Sequence, residues 1–350
     1  MKIMKNRPIT YSKNVFIPVT NVCRNKCTYC GFRRPPEHKD AFLMTEKEVI
    51  AVLEKGAETG CTEALFAFGE SPEENSEFKK RFGKALEEMG FETVIEYTTY
   101  LCRLTLDFGL LPHVNGGILS FEELKKLAPL NASMGLMLET TAQIPAHKDC
   151  PGKIPAARLE MIENAGKLKI PFTTGLLIGI GESRSDWMAS LQEIKKLHEK
   201  YGHIQEIILQ NYTPNSGQII ENPNSTSLTP NSSLIPPTKA DMTDLIILTK
   251  NTLSPDISIQ TAPNLMSPIE LIQYGVTDLG GISPITIDFI NPDSEWPKIN
   301  ELKNLLQSKG YEFKERLPIH PEYIKKGWHG EETKELVRTL SDSDGYRKIE

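Results

Sequence analysis

Short apolar runs alternate along this chain with longer stretches whose apolar positions recur every three or four residues. The first pattern predicts strands and the second amphipathic helices. Residues 15–20 open the series as a continuous apolar run, as in a parallel strand buried on both faces, although Pro18 lies inside it. Thr45 and Glu48 then form a capping box, and Val49, Val52, Leu53 and Ala57 follow at helical spacing until Gly60. Residues 64–68 predict the next strand and 76–89 its helix. Residues 94–97 predict a third strand, with a helical stretch near 101–108 and a Gly-Leu-Leu-Pro-His-Val-Asn segment at 109–115. Ser120 and Glu123 cap a helix carrying Leu124, Leu127 and Ala128.

The alternation continues through strands at 134–138, 172–178, 204–210 and 257–260 and a strand-like segment at 280–288. Helices are predicted at 156–168, 186–201, 238–253, 267–274 and 296–308. Alternation of this kind implies a parallel sheet. Eight units in about 300 residues fit a closed (β/α)8 TIM-type barrel, a fold of roughly 250 residues plus insertions. A doubly wound open sheet is the alternative, but no Gly-x-Gly-x-x-Gly turn follows the first strand. The barrel core is assigned to residues 1–310, with 311–350 a C-terminal extension that is not a separate domain. Residues 211–237 break the pattern, with five Asn, five Pro and five Ser in 27 residues. A loop of that length is a binding loop or lid, or else a disordered insert.

Composition narrows the function classes. The 350 residues carry a formal net charge of -6, which argues against a nucleic-acid footprint. No apolar run approaches the roughly 18 residues of a membrane span, and the first residues lack an apolar signal core. A cytoplasmic location without membrane or nucleic-acid partners is the expectation. In that reducing compartment the six cysteines do not imply disulfides. Cys61, Cys102 and Cys150 are scattered and read as buried or incidental thiols.

Cys23, Cys27 and Cys30 are different, because they fall within eight residues just after the first strand. Three thiolates converge on one small volume when the backbone wraps around it, which suits zinc or an iron-sulfur cluster. Cys27 and Cys30 alone could be a redox dithiol, but that leaves Cys23 unexplained. A c-type haem site would need His where Gly31 stands. Zinc would need a fourth donor, for which His38 is nearest in sequence. Three cysteines on a four-iron cluster leave one iron open to a small chelating molecule.

The C-x-x-x-C-x-aromatic-C loop after a strand resembles the radical S-adenosylmethionine (SAM) superfamily. The resemblance implies one 4Fe-4S cluster held by Cys23, Cys27 and Cys30. It also implies SAM chelated to the open iron and cleaved on reduction to a 5'-deoxyadenosyl radical.

Polar groups recur at the predicted carboxyl ends of the strands, where a barrel carries its site: Glu70, His113 and Asn115, Glu139, Gly179 to Glu182, Gln210 and Asn211, and Gln260. One Glu after a strand is more often a helix first-turn residue favoured by the macrodipole. Their joint placement around one mouth points to a site. The resemblance implies SAM contacts for Tyr29, Gly69, Glu70, Glu139, Arg158, Gly179, Ile180 and Gly181. Gly69-Glu70 is similar to a Gly-Gly-Glu motif for the SAM ammonium, with Phe68 in place of the first glycine. Glu139 takes the position that bonds the ribose, and the segment around Gly179 the one beside adenine. Arg158 resembles the carboxylate-pairing arginine, a task its planar fork suits, but by sequence it reads equally as a solvated helix charge.

Further blocks, DFGLLPHVNGG, NASMGLMLET, PFTTGLLIGIGE, ILQNYTPNSG, IQTAPNL and GGISPITID, are similar to the CofG-type subunits of FO synthase, a family of deazaflavin-forming enzymes in coenzyme F(420) biosynthesis. Together with ITYSKNVFIPVTNVCRNKCTYCGFRR, the blocks span roughly residues 9–290. The resemblance implies a carbon-nitrogen lyase acting on 5-amino-5-(4-hydroxybenzyl)-6-(D-ribitylimino)-5,6-dihydrouracil by hydrogen abstraction, ring closure and ammonia loss. It also implies an external low-potential electron donor and a CofH-type enzyme as pathway partner. His113, Asn115, Gln210, Asn211 and Gln260 are the candidate substrate contacts. The competing readings are another radical SAM enzyme, whether CofH-type, menaquinone-pathway or biotin-synthase-like, and a non-catalytic zinc or iron-sulfur protein.

Overall fold

The computed structural model describes residues 7–218 and 233–348. Eight parallel strands close into a barrel: β1 (Ile9–Ile17), β2 (Glu63–Ala67), β3 (Leu111–Asn115), β4 (Ser133–Gly135), β5 (Phe172–Ile178), β6 (Ile204–Asn211), β7 (Ser258–Gln260) and β8 (Asp278–Ile282). Neighbours follow chain order from β2 to β8 and β1, and β1 closes on β2 with Val15 opposite Ala64 and Phe16 opposite Leu65. Helices separate the strands, among them Glu46–Glu58, Val94–Asp107, Phe121–Leu127, Pro155–Lys167, Arg184–Tyr201, Lys239–Thr252 and Ile299–Ser308. This is the TIM-type barrel that the alternation predicts.

Side chains alternate across each strand, and the two faces differ in character. Val15, Ile17, Ala64, Phe66, Ile207 and Leu209 join the apolar core against the helices. Ser12, Asn14, Glu63, His113, Thr173, Glu206 and Gln260 instead line the barrel interior. Much of the inward face is therefore polar, and those residues build the floor beneath the mouth.

Several predicted boundaries move. Residues 94–97 are not a strand but the first turn of Val94–Asp107, whose capping box pairs Thr93 with Glu96. A β-favouring Val-Ile pair yields there to a local cap that satisfies the helix's free N–H groups. The third strand is Leu111–Asn115 instead. The first strand begins six residues early, at Ile9, and ends before Pro18, which supplies no N–H to a ladder. The helix predicted at 76–89 is interrupted by a π-helical turn at Lys79–Gly83, and the eighth strand stops at Ile282, two residues before Pro284.

Residues beyond 310 are built into the base of the barrel. A ninth strand, β9 (Phe313–Arg316), pairs in parallel with Ile9 to Ser12 of β1. Arg316 at its end is fully buried, donating from Nε to Asp278 at 2.6 Å and from Nη2 to Glu206 at 3.0 Å. The Pro318 carbonyl accepts from Ser133 Oγ at 2.7 Å and Gln205 Nε2 at 3.1 Å. Among the described residues no helix is long and apolar enough to cross a membrane.

Candidate functional site

The segment after β1 turns back over the barrel mouth and presents Cys23, Cys27 and Cys30 to one cavity of about 310 Å³. Backbone N–H groups of Asn25 and Glu70 donate to Cys23 Sγ at 3.4 and 3.3 Å. Burial pushes the Cys23 thiol up to about 12 and also raises Cys30. Cys27 goes the other way, to about 6, chiefly through a hydrogen bond from the neighbouring Cys150 thiol and against burial, with Lys153 helping. Three thiols gathered in one cavity fit a soft cluster better than a dithiol pair. His38 does not join them: its Nδ1 accepts from the Asp40 N–H at 3.1 Å, and it lies outside the cavity wall. Cys61 and Cys102 also lie outside that wall and pack in the apolar core.

Gly69 fixes how closely the loop sits on β2. A Cβ there would lie 1.9 Å from the Val22 carbonyl oxygen, so only glycine allows the approach. Next to it, Glu70 is buried. Arg24 grips its Oε1, while Oε2 accepts the Ile118 N–H at 3.0 Å. Asn25 then ties the cysteine loop to a second segment, accepting the Gly152 N–H at 2.8 Å.

Glu139 sits at the opposite side of the cavity in a left-handed backbone conformation, φ 66°, which a non-glycine residue adopts at a cost of order 1 kcal/mol. Two backbone bonds hold it there: its N–H donates to Gly175 O at 2.8 Å, and its carbonyl accepts Leu177 N at 3.2 Å. Its carboxylate meets Lys153, the Tyr29 hydroxyl and His147 Nε2, the last at 3.1 Å. Burial opposes ionisation of Glu139, yet Lys153, His147 and Arg158 together hold it well below the usual carboxylate range. Arg158 is 3% exposed, so the solvated-charge reading fails. It donates from Nε to Met137 O at 2.6 Å and from Nη1 to Gly152 O at 2.7 Å.

Tyr29, Gly69, Glu70, Glu139 and Arg158 thus share the cavity with the cysteines. Gly179, Ile180 and Gly181 do not reach its wall. Glu182 takes the N–H groups of Gly179 and Ile180 at 2.8 and 2.9 Å, and the Gly179 carbonyl accepts Ile235 N at 2.9 Å. That turn serves the fold by anchoring one end of the long connection. The other end packs on the cysteine loop, where Gln218 Nε2 donates to Tyr29 O at 3.0 Å. The rest of the 211–237 lid expectation, residues 219–232, lies outside the described residues.

The candidate substrate residues divide by depth. Asn211 lines the upper cavity, Asn115 and Gln210 line both it and a lower one of about 170 Å³, and His113 and Gln260 line the lower one alone. His113 is driven down to about 3 by burial and then by Arg316, so it is neutral, and it bonds Ser133 Oγ through Nδ1 at 2.7 Å. Gln260, with its amide nitrogen toward Glu206, donates to Oε1 at 2.8 Å. Sequence reasoning passed over Arg24, Asn25, His147 and Lys153. The one local signal for the last two is the cluster of titratable groups in His147 to Lys153, just after Glu139.

Comparison with known proteins finds relatives in sequence and in fold. Residues 17–194 match the radical SAM superfamily. The chain is 55% identical to the 7,8-didemethyl-8-hydroxy-5-deazariboflavin synthase of Methanosarcina mazei, covering 97% of this chain and 96% of that one. It is 44% identical to the synthase of the same name from Archaeoglobus fulgidus, covering 97% and 99%. In fold it is similar to HydG, a maturase of the FeFe-hydrogenase, with a TM-score of 0.69 at 18% identity, covering 97% of this chain and 71% of that one. It is also similar to methylornithine synthase (PylB), with a TM-score of 0.62 at 15% identity, covering 93% and 87%.

Proposed function

This chain belongs to the radical SAM superfamily and, within it, to the 7,8-didemethyl-8-hydroxy-5-deazariboflavin (FO) synthases, and from that premise we propose how its residues divide the work. Cys23, Cys27 and Cys30 hold a single 4Fe-4S cluster, and Tyr29, Gly69, Glu70, Glu139 and Arg158 cradle SAM. The observation that carries this reading is the convergence of three cysteines, two buried carboxylates and a buried guanidinium on one cavity at the carboxyl ends of the strands. Gly179 and Ile180, whose N–H groups Glu182 takes, act with Gly181 through the turn they form.

The cluster held by Cys23, Cys27 and Cys30, with SAM beside it, would supply hydrogen-abstracting radical chemistry for converting the hydroxybenzyl-ribityliminouracil adduct to the deazaflavin with ring closure and ammonia loss. The protein's share is positioning and exclusion of water. Asn115, Gln210, Asn211, His113 and Gln260 bond the adduct from above and below. Leu65, Phe68, Leu136, Met137 and Leu177 give the upper cavity apolar walls against which flat rings pack. A CofH-type enzyme supplies the adduct, an external low-potential donor supplies the electron, and the cytoplasm is the site of action.

The test is anaerobic reconstitution with iron and sulfide, followed by reductant, SAM and the adduct. The reading requires 5'-deoxyadenosine, a fluorescent deazaflavin and ammonia. If SAM is cleaved but neither deazaflavin nor ammonia forms, the FO synthase reading is lost while radical SAM chemistry stands.

A further inference from the structure

Beneath the cysteine cavity the barrel is hollow, and the two cavities adjoin, sharing wall residues that include Phe16, Leu65, Asn115, Ile208, Gln210 and Asn291. The lower chamber, about 170 Å³, far exceeds the ~10–15 Å³ that admits one water. Its wall chemistry differs from that above. Glu63, Glu206, His113, Thr173 and Gln260 face it, and Arg316 closes its base.

Among the described residues, two that line the chamber each carry a polar side-chain atom with no partner. Asn14 Oδ1 and Trp296 Nε1 are both buried and lack hydrogen bonds, an arrangement that costs roughly 1–3 kcal/mol per group unless a ligand completes it. One is an acceptor and the other a donor. The carboxylates of Glu63 and Glu206 add acceptors, although Ser12, Gln260 and Arg316 already engage them in part. A ligand matching this wall both donates and accepts at several points, and it needs no charge of its own to balance Arg316, which already meets Glu206 and Asp278. A chain of hydroxyl groups meets all these demands, since each hydroxyl carries one donor and two acceptor sites. A flat ring system fits the apolar upper walls better.

Building on the FO synthase reading, we propose that the lower chamber is a polyol-binding subsite. The ribityl chain of the adduct descends into it past Asn14 and Trp296 while the rings remain above, beside the cysteines. The chamber thereby sets which end of the substrate meets the radical, and it selects for a hydroxylated side chain.

The test compares the adduct with an analogue carrying the same rings and an unsubstituted pentyl chain. Binding and turnover are measured on reconstituted protein with SAM, for the wild type and for Trp296→Phe and Asn14→Leu. The wild type should bind the ribityl adduct at least tenfold more tightly than the pentyl analogue. Each variant should weaken ribityl binding about five- to tenfold, the scale of one lost bond to a buried group, and should shift pentyl binding less than twofold. Retained SAM binding and visible cluster absorption show that the variants are folded. Equal affinity of the wild type for both ligands overturns the proposal, as does an equal loss for both ligands in both variants. A ribityl preference without deazaflavin formation would sink the FO synthase reading and leave the polyol subsite standing.

Discussion

Arg24 holds Glu70 through Nε at 2.8 Å and Nη2 at 2.7 Å, clamping the cysteine loop to the end of β2. Glu70 is the more buried partner, and it also accepts the Ile118 N–H. The pair therefore shapes the loop before any cofactor enters. Removing one partner of a buried pair strands the other charge and costs about 3–5 kcal/mol, less where one side is partly exposed, as Arg24 is. Arg24→Met should lower iron and sulfide bound per chain after reconstitution, with Arg24→Lys intermediate. Unchanged iron content in Arg24→Met would show that the clamp is dispensable.

The three cavity cysteines and the core cysteines should separate cleanly. Cys23→Ala, Cys27→Ala or Cys30→Ala removes a cluster ligand and should reduce 5'-deoxyadenosine formation to background. Cys61→Ala and Cys102→Ala, buried in the apolar core away from the cavity, should retain it. Their cost is one of packing, on the order of 1 kcal/mol, measurable as a lower melting temperature.

Lys153 sets the ionisation of Glu139. The depressed carboxyl is ionised in the folded protein throughout neutral pH, and its stabilising contribution is present above the ordinary carboxylate range and lost as pH falls through its lowered value. Lys153→Met removes the strongest cation acting on it and lets burial push the carboxyl up. SAM affinity in the variant should fall, and its acid limb should move to higher pH. A pH profile of SAM binding identical to that of the wild type would refute the assignment.

Glu63 has the opposite sign. Burial raises its carboxyl from 4.5 to about 7, against the Ser12 bond and Arg316. The folded protein takes up this proton while the unfolded chain releases it, so stability from this group is full below 4.5 and declines as pH rises through 7. Glu63→Gln removes the decline. The variant should match the wild type near pH 5 and exceed it near pH 8 by up to about 3 kcal/mol. Chemical unfolding at both pH values measures the difference, and a constant gap would contradict it. His113 titrates with the reverse sign but is common to both proteins, so it cancels.

Gly69→Ala tests the closest backbone approach in the site. The added Cβ meets a carbonyl oxygen of the cysteine loop, and backbone gives way less readily than a side chain. Cluster assembly should fail while far-ultraviolet circular dichroism stays that of a folded barrel.

Local physics made much of this protein legible from its residues. Capping boxes at Thr45 and Ser120 satisfy free N–H groups within three residues, and apolar spacing reports neighbours three or four positions away, so the helices and the alternation could be read directly. The cysteine spacing marked its loop for the same reason, since the ligands lie within one turn of chain. Residues 94–97 misled because β-branched pairing and a helix cap compete over the same few positions, and the cap won. The inward face of the strands was hidden because both faces are buried, so the polar period of two in Thr10, Ser12 and Asn14 did not stand out from the apolar runs around it. Closure of β1 on β2 brought together what the sequence kept apart: Lys153 and Tyr29 on Glu139, Gly152 against Glu70, and Arg316 from the last strand beneath Asp278 and Glu206. Those contacts join residues separated by between 14 and 110 positions. Their energies depend on shared burial in one closed cavity, a property no local spacing encodes.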